Sequence, residues 1–113
     1  MSNQLCLVYT THKDERDAEI LAEKLLRNCL LVCANILPAG KSIYMWNGRL
    51  NADQEVFAIF KTTPDRLEDL EKEYLHEHPY ETPCFVVIDS EHVSSEYLKW
   101  AHEQTVSGPK ENL

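Results

Sequence analysis

The sequence predicts an α+β domain with the element order β-α-β-β-α-β, the split βαβ or ferredoxin-like arrangement, with a long central hairpin and a C-terminal helix. Three observations carry that expectation. Apolar residues recur at spacings of three and four in two stretches, Ala18 to Cys29 and Leu67 to Leu75, as the buried stripe of a helix requires. Leu5 to Tyr9 and Pro83 to Ile88 are short apolar runs without polar alternation, the pattern of strands covered on both faces. Between the helical stretches, Asn47-Gly48 separates two runs rich in aromatic and β-branched side chains.

Taken in order, the strand at Leu5 to Tyr9 is followed by Thr10-Thr11, which lead into a helix over 13–28. Asp14, Glu15 and Asp17 complement the positive end of that helix, and Ala18, Leu21, Ala22, Leu25, Leu26 and Cys29 form its stripe. Glu23 and Arg27 pair at i, i+4 on the solvent side, and Asn28 is the expected left-handed residue that closes the helix. The run from Leu30 to Leu37 opens a hairpin that spans 30–62, and Pro38-Ala39-Gly40 mark a kink or bulge in its first arm. Asn47-Gly48 supply the two φ > 0 residues of a type I′ turn between Ser42–Trp46 and Gln54–Thr62. Thr63-Pro64-Asp65 reads as a helix start with a hydroxyl cap and Pro at the first helical position. Leu67, Leu70, Tyr74 and Leu75 give this helix its buried stripe, and Pro79 ends it. A strand over 83–88 follows, then a short helix capped by Ser94 or Ser95 that carries Tyr97, Leu98 and Trp100. Residues 1–106 make one domain, and 107–113 read as a disordered tail whose last three residues, Glu-Asn-Leu, fit the start of a purification tag.

A length of 113 residues suits one domain with a core of its own. A formal net charge of −8 argues against a nucleic-acid partner, which needs a basic surface. No apolar run approaches a membrane span and no leader pattern opens the chain, so a cytoplasmic protein without membrane insertion is expected. The four cysteines, Cys6, Cys29, Cys33 and Cys84, read as small core hydrophobes rather than disulfide halves.

Two helices can cover only one face of a four-stranded sheet. In the second hairpin arm Val56, Ala58 and Phe60 point one way while Phe57 and Ile59 point the other, so both faces are apolar. At roughly 25 cal/mol per Å², leaving two such side chains wet forgoes several kcal/mol, comparable to a small domain's whole stability. Subunit association is the simplest cover, and Tyr44 and Trp46 near the hairpin tip need it too.

Few residues carry chemistry. Lys61 ends an apolar strand, either as a lysine emerging at the sheet edge or as a cation at the rim of a pocket. His76, His78, Pro79, Tyr80 and Glu81 form the densest polar cluster, while His12, His92 and His102 read as solvated. Tyr44, Trp46 and Tyr80 can stack a planar ligand or a cation, or pack an interface. Asp53 and Glu55 share one face of a strand, as a solvated hairpin edge also would. No nucleophile stands beside a base and no phosphate loop is present, so an enzyme is not expected.

Several blocks in the right order resemble the CutA divalent-cation tolerance family along residues 4–105. They are Cys33-Ala34-Asn35-Ile36, Ser42 to Gly48, Glu55-Val56 with Lys61-Thr62, His78 to Pro83, and Tyr97 to Trp100. The resemblance implies a ferredoxin-like subunit in a tight homotrimer, similar to the PII signal proteins, with a role in tolerance of copper and other divalent cations. It also implies an intersubunit cleft gathering Trp46, Glu55, Lys61, His78 and Tyr80. Metal-binding relatives are credited with a Cys at the end of the first strand and two consecutive His before Pro-Tyr; here those positions hold Tyr9 and Glu77-His78. His78 and Glu77 are therefore the candidate metal ligands, for Cu2+ or another divalent cation bound weakly and not required for folding. The alternative is a PII-like sensor that binds a small anion near Lys61, His78 and Tyr80 and signals to a protein partner.

Overall fold

In a computed structural model, which describes residues 4–106, β1 runs from Cys6 to His12, three residues past its apolar run. The extension follows from its buried side: Cys6, Val8, Thr10 and His12 all point inward, and they lie opposite Thr62, Phe60, Ala58 and Val56 of the third strand. Thr10 and His12 can be buried because their polar atoms are bonded. His12 Nε2 lies 2.9 Å from Thr10 Oγ1, which donates to the Ala58 carbonyl at 3.0 Å.

The helix α1 covers Glu15–Arg27, and the Asp14 carboxylate caps it by accepting from the Asp17 N–H at 2.8 Å. Its closure differs from the expected one. Asn28 has φ −89°, and the left-handed residue is Cys29 at φ +59°. The Leu30 N–H reaches the Leu25 carbonyl and the Cys29 N–H the Leu26 carbonyl, both at 3.0 Å, which is a Schellman motif. That motif occupies Leu30, so β2 begins only at Cys33 and 30–32 lie buried outside the hairpin.

The hairpin pairs β2 (Cys33–Trp46) with β3 (Arg49–Thr62). Trp46 lies opposite Arg49 across Asn47 (φ +52°) and Gly48 (φ +75°), the type I′ turn expected of Asn-Gly. The kink is a bulge. The register shifts by one between Leu37 and Gly40, with Ala39 at φ +59°. A 45 Å long axis reflects the projecting ribbon.

Thr63 leads into a 3-10 turn, Pro64–Arg66, before α2 (Leu67–Glu77), and makes no cap bond. Its hydroxyl donates to Thr105 Oγ1 at 3.4 Å instead, tying the end of β3 to the end of the chain. In α2 only Leu70 and Tyr74 are buried, and Leu75 is exposed rather than part of the stripe. The i, i+4 line from Leu70 runs through Tyr74 to His78, and Leu75 lies about 100° off it. The last strand, β4, is Phe85–Asp89, and α3 is Ser95–Gln104, begun by Ser94 without a side-chain cap bond.

All strands are antiparallel in the order β2-β3-β1-β4. Both long helices pack on one face, where Leu21, Leu25, Leu70 and Tyr74 meet Val8, Ala58 and Phe60. A smaller core joins Leu5, Val32 and Ala101 to Tyr97 and Leu98 of α3. The opposite face carries Tyr9, Leu37, Phe57, Ile59, Val86 and Ile88. Within the chain Leu37 is 49% exposed, Val86 51% and Ile88 53%, so β4 is not covered on both faces. The expected tail, 107–113, lies outside the described residues.

Candidate ligand cleft

Where the hairpin leaves the body of the sheet, its helix-free face and the loop after α2 enclose a cleft of about 790 Å3. Trp46, Glu55 and Tyr80 line it, together with Tyr9, Tyr44 and Asp53. The Tyr80 hydroxyl donates to Glu55 Oε2 at 2.8 Å, and the Tyr44 hydroxyl donates to Asp53 Oδ2. Burial, and then Glu55, push the Tyr80 pKa well above the ordinary phenol value; the bond to Asp53 raises that of Tyr44. Both phenols therefore stay protonated and act as fixed donors.

His78 stands behind this wall. It is 7% exposed and follows α2. Its Nε2 lies 2.9 Å from the Thr11 carbonyl, and its Nδ1 accepts the Tyr80 N–H at 3.2 Å. A carbonyl only accepts, so this network assigns the proton to Nε2 and leaves neither ring nitrogen free. The ring stacks on His12 at 5.1 Å and meets Tyr80 edge-on at 4.6 Å. Glu77 turns the other way. Lys24 Nζ lies 2.7 Å from it and His76 Nε2 3.9 Å, and the bond to Lys24 holds its carboxyl below the usual range. Glu77 and His78 do share one recess of about 250 Å3 with His12, between α1 and the end of α2.

Lys61 is elsewhere. It lies six residues along the same strand face from Glu55, about 20 Å away. Its Nζ donates to Tyr97 Oη at 3.4 Å, beside Cys33, whose Sγ is 3.8 Å from the same hydroxyl. One chain thus gathers Trp46, Glu55 and Tyr80, sets His78 behind them, and keeps Lys61 apart. Among the described residues no three His, Cys, Asp or Glu side chains gather to hold a metal ion.

The sequence model for CutA1 divalent ion tolerance protein matches residues 6–104. The chain belongs to the CutA1 family. The divalent-cation tolerance protein CutA of Pyrococcus horikoshii is 40% identical over 101 residues, covering 89% of this chain and 98% of that protein. The crystal structure of the divalent ion tolerance protein CutA1 of Ehrlichia chaffeensis superposes with a TM-score of 0.90 at 30% identity, over 95% of this chain and all of that one. The periplasmic divalent cation tolerance protein CutA of Archaeoglobus fulgidus matches with a TM-score of 0.87 at 32% identity, over 90% of this chain and 99% of that one. That relative's compartment means that CutA1 membership does not fix a cytoplasmic location. No helix of the described residues is long and apolar enough to cross a membrane.

Beside this CutA1 frame, sequence reasoning missed two residues of the site. His12 reads as solvated but is 2% exposed, in contact with His78; the period-two line Cys6, Val8, Thr10, His12 is the signal that finds it. His102 is buried as well, on the inner side of α3. Asp53 reads as part of a solvated edge, yet its carboxylate is fixed by Tyr44, two strand positions away diagonally across the hairpin.

Proposed function

We propose that the protein serves divalent-cation tolerance as a homotrimer that binds metal ions weakly and carries no catalysis of its own. Family membership supports the role, and one observation supports weak binding: each donor of the Glu77–His78 pair already has a partner. A cation approaching the recess must share the Glu77 carboxylate with Lys24, and displace either the Tyr80 N–H or the Thr11 carbonyl from His78. The donors therefore do not form a preorganised metal site. Copper gains little here, because no thiolate joins the pair; Cys84, the thiol near the cleft, has its pKa raised by burial and by Glu55. The helix-free apolar face supports association, with further copies of the chain as the cover. Within one chain Lys61 meets Tyr97 rather than His78 and Tyr80, so the anion-sensor alternative requires Lys61 from a neighbouring copy.

Calorimetric titration with Cu2+ and Zn2+ tests this reading. Weak binding is expected in the wild type, loss in His78→Ala, and several-fold tightening in Lys24→Gln, which frees the Glu77 carboxylate. Identical heats in all three proteins sink the Glu77–His78 assignment.

A further inference from the structure

The neutral ring of His78 has one lone pair to offer a ligand, and the chain itself occupies it. The Thr11 carbonyl, 2.9 Å from Nε2, can only accept, so the proton sits on Nε2 and the lone pair on Nδ1. Nδ1 accepts the Tyr80 N–H at 3.2 Å. This contact is local. Pro79 has no N–H and a fixed φ, so the first backbone donor after His78 is the Tyr80 amide, folded back onto the imidazole. His78 is 7% exposed and makes both bonds inside its own chain, whatever covers the helix-free face of the sheet.

More than its amide holds Tyr80 there. Its ring meets the imidazole edge-on at 4.6 Å, and its hydroxyl donates to Glu55 Oε2 at 2.8 Å, where β3 lies opposite Gly40 of the bulge. The loop after α2 is thus pinned to the hairpin with Nδ1 closed. A ligating histidine keeps its other N–H on a carbonyl or carboxylate, as Thr11 already provides, so Nδ1 is the nitrogen left for a cation. Entry at Nε2 gives no escape, because the proton then moves to Nδ1, which can no longer accept. By either route the Tyr80 N–H loses its partner. We propose that the His78–Tyr80 contact is an autoinhibitory latch: a divalent cation and the Tyr80 amide compete for His78, and the Tyr80–Glu55 bond sets how hard the latch is to open. The inference rests on His78 as a metal ligand and adds the residue that regulates it. Tyr80 is a positioning residue and does not coordinate the ion.

Zn2+ titration, followed by calorimetry and by backbone hydrogen exchange resolved at Tyr80, tests the latch. In the wild type saturating Zn2+ should speed exchange of the Tyr80 amide by about fivefold or more. Mg2+, which prefers oxygen donors, should leave it unchanged. Tyr80→Phe keeps the amide and the ring but loses the bond to Glu55, so Zn2+ should bind it about fivefold or more tightly than the wild type. A merely structural residue would weaken binding when replaced, or leave it alone. The latch is overturned if Zn2+ binds through His78 with Tyr80 exchange unchanged, or if Tyr80→Phe binds no tighter. Should Tyr80→Phe fail to fold, exchange in the wild type decides alone. Zn2+ heats that are absent, or identical in His78→Ala, sink the metal reading and the latch together, so the two failures are distinguishable.

Discussion

His12 has its imidazole stacked on His78, tilted against Phe60 and edge-on to Tyr74, surroundings that penalise a positive ring. Burial, and then the neighbouring His78, push its pKa down to about 4 from 6.5, against a smaller opposing pull from Asp17. The unfolded chain takes up this proton as the pH falls through the ordinary value, while the folded chain resists until near 4. Stability from this group is therefore complete above about 6.5 and is lost progressively between 6.5 and 4. The displacement corresponds to about 3 kcal/mol. Urea unfolding at pH 7 and pH 4 should show a drop of that order in the wild type. In His12→Gln the drop should shrink by the same amount, whatever the substitution does at pH 7. An undiminished drop would mean that another group titrates.

At the scale of the element, the bulge in β2 is what bends the hairpin across the sheet, and Gly40 makes it possible. A Cβ at Gly40 would stand 1.9 Å from Cε2 of Phe57, whose ring lies over the glycine and stacks on Tyr9 at 6.1 Å. Glycine here answers a close approach rather than a positive φ, since the left-handed residue of the bulge is Ala39. Gly40→Ala forces the Phe57 ring off its stack, and a loss of about 1–3 kcal/mol is expected from overpacking. Denaturant midpoints of Gly40→Ala and of the double variant with Phe57→Ala check it. The Gly40→Ala penalty should largely vanish once the ring is gone, and independent additive losses would refute the contact.

The whole molecule has two layers where its residues call for three. Helices bury Val56, Ala58 and Phe60, but Val86 and Ile88 of the edge strand stay half exposed on the other face beside Tyr9 and Leu37. An edge strand with free backbone groups and an apolar face is a template for association. Sedimentation at micromolar concentration should give a particle three times the 13.1 kDa chain. Ile88→Glu, which places a charge on the uncovered face opposite Leu7, should shift it toward the single chain and lower its thermal midpoint. A stable 13.1 kDa wild-type species removes the trimer, and an Ile88→Glu protein that still assembles removes this face as its interface.

The order of elements, the type I′ turn at Asn47-Gly48, the kink at Pro38 to Gly40 and the two-sided character of β3 were all legible in the residues. Each is a local signal, a dihedral preference or a period of two or four, that needs no distant partner to be read. The closing residue of α1 was not legible, because Cys29, buried against the core, takes the left-handed turn in place of Asn28. The site was half legible. Trp46, Glu55 and Tyr80 stand out by type, but that Tyr80 reaches across 25 positions to Glu55, and that Lys61 is turned toward Tyr97 instead, depends on where the strands lie side by side. Residue type tells what a side chain can do; only the tertiary contacts decide which partner satisfies it, because a buried donor must be bonded to whatever the fold brings near.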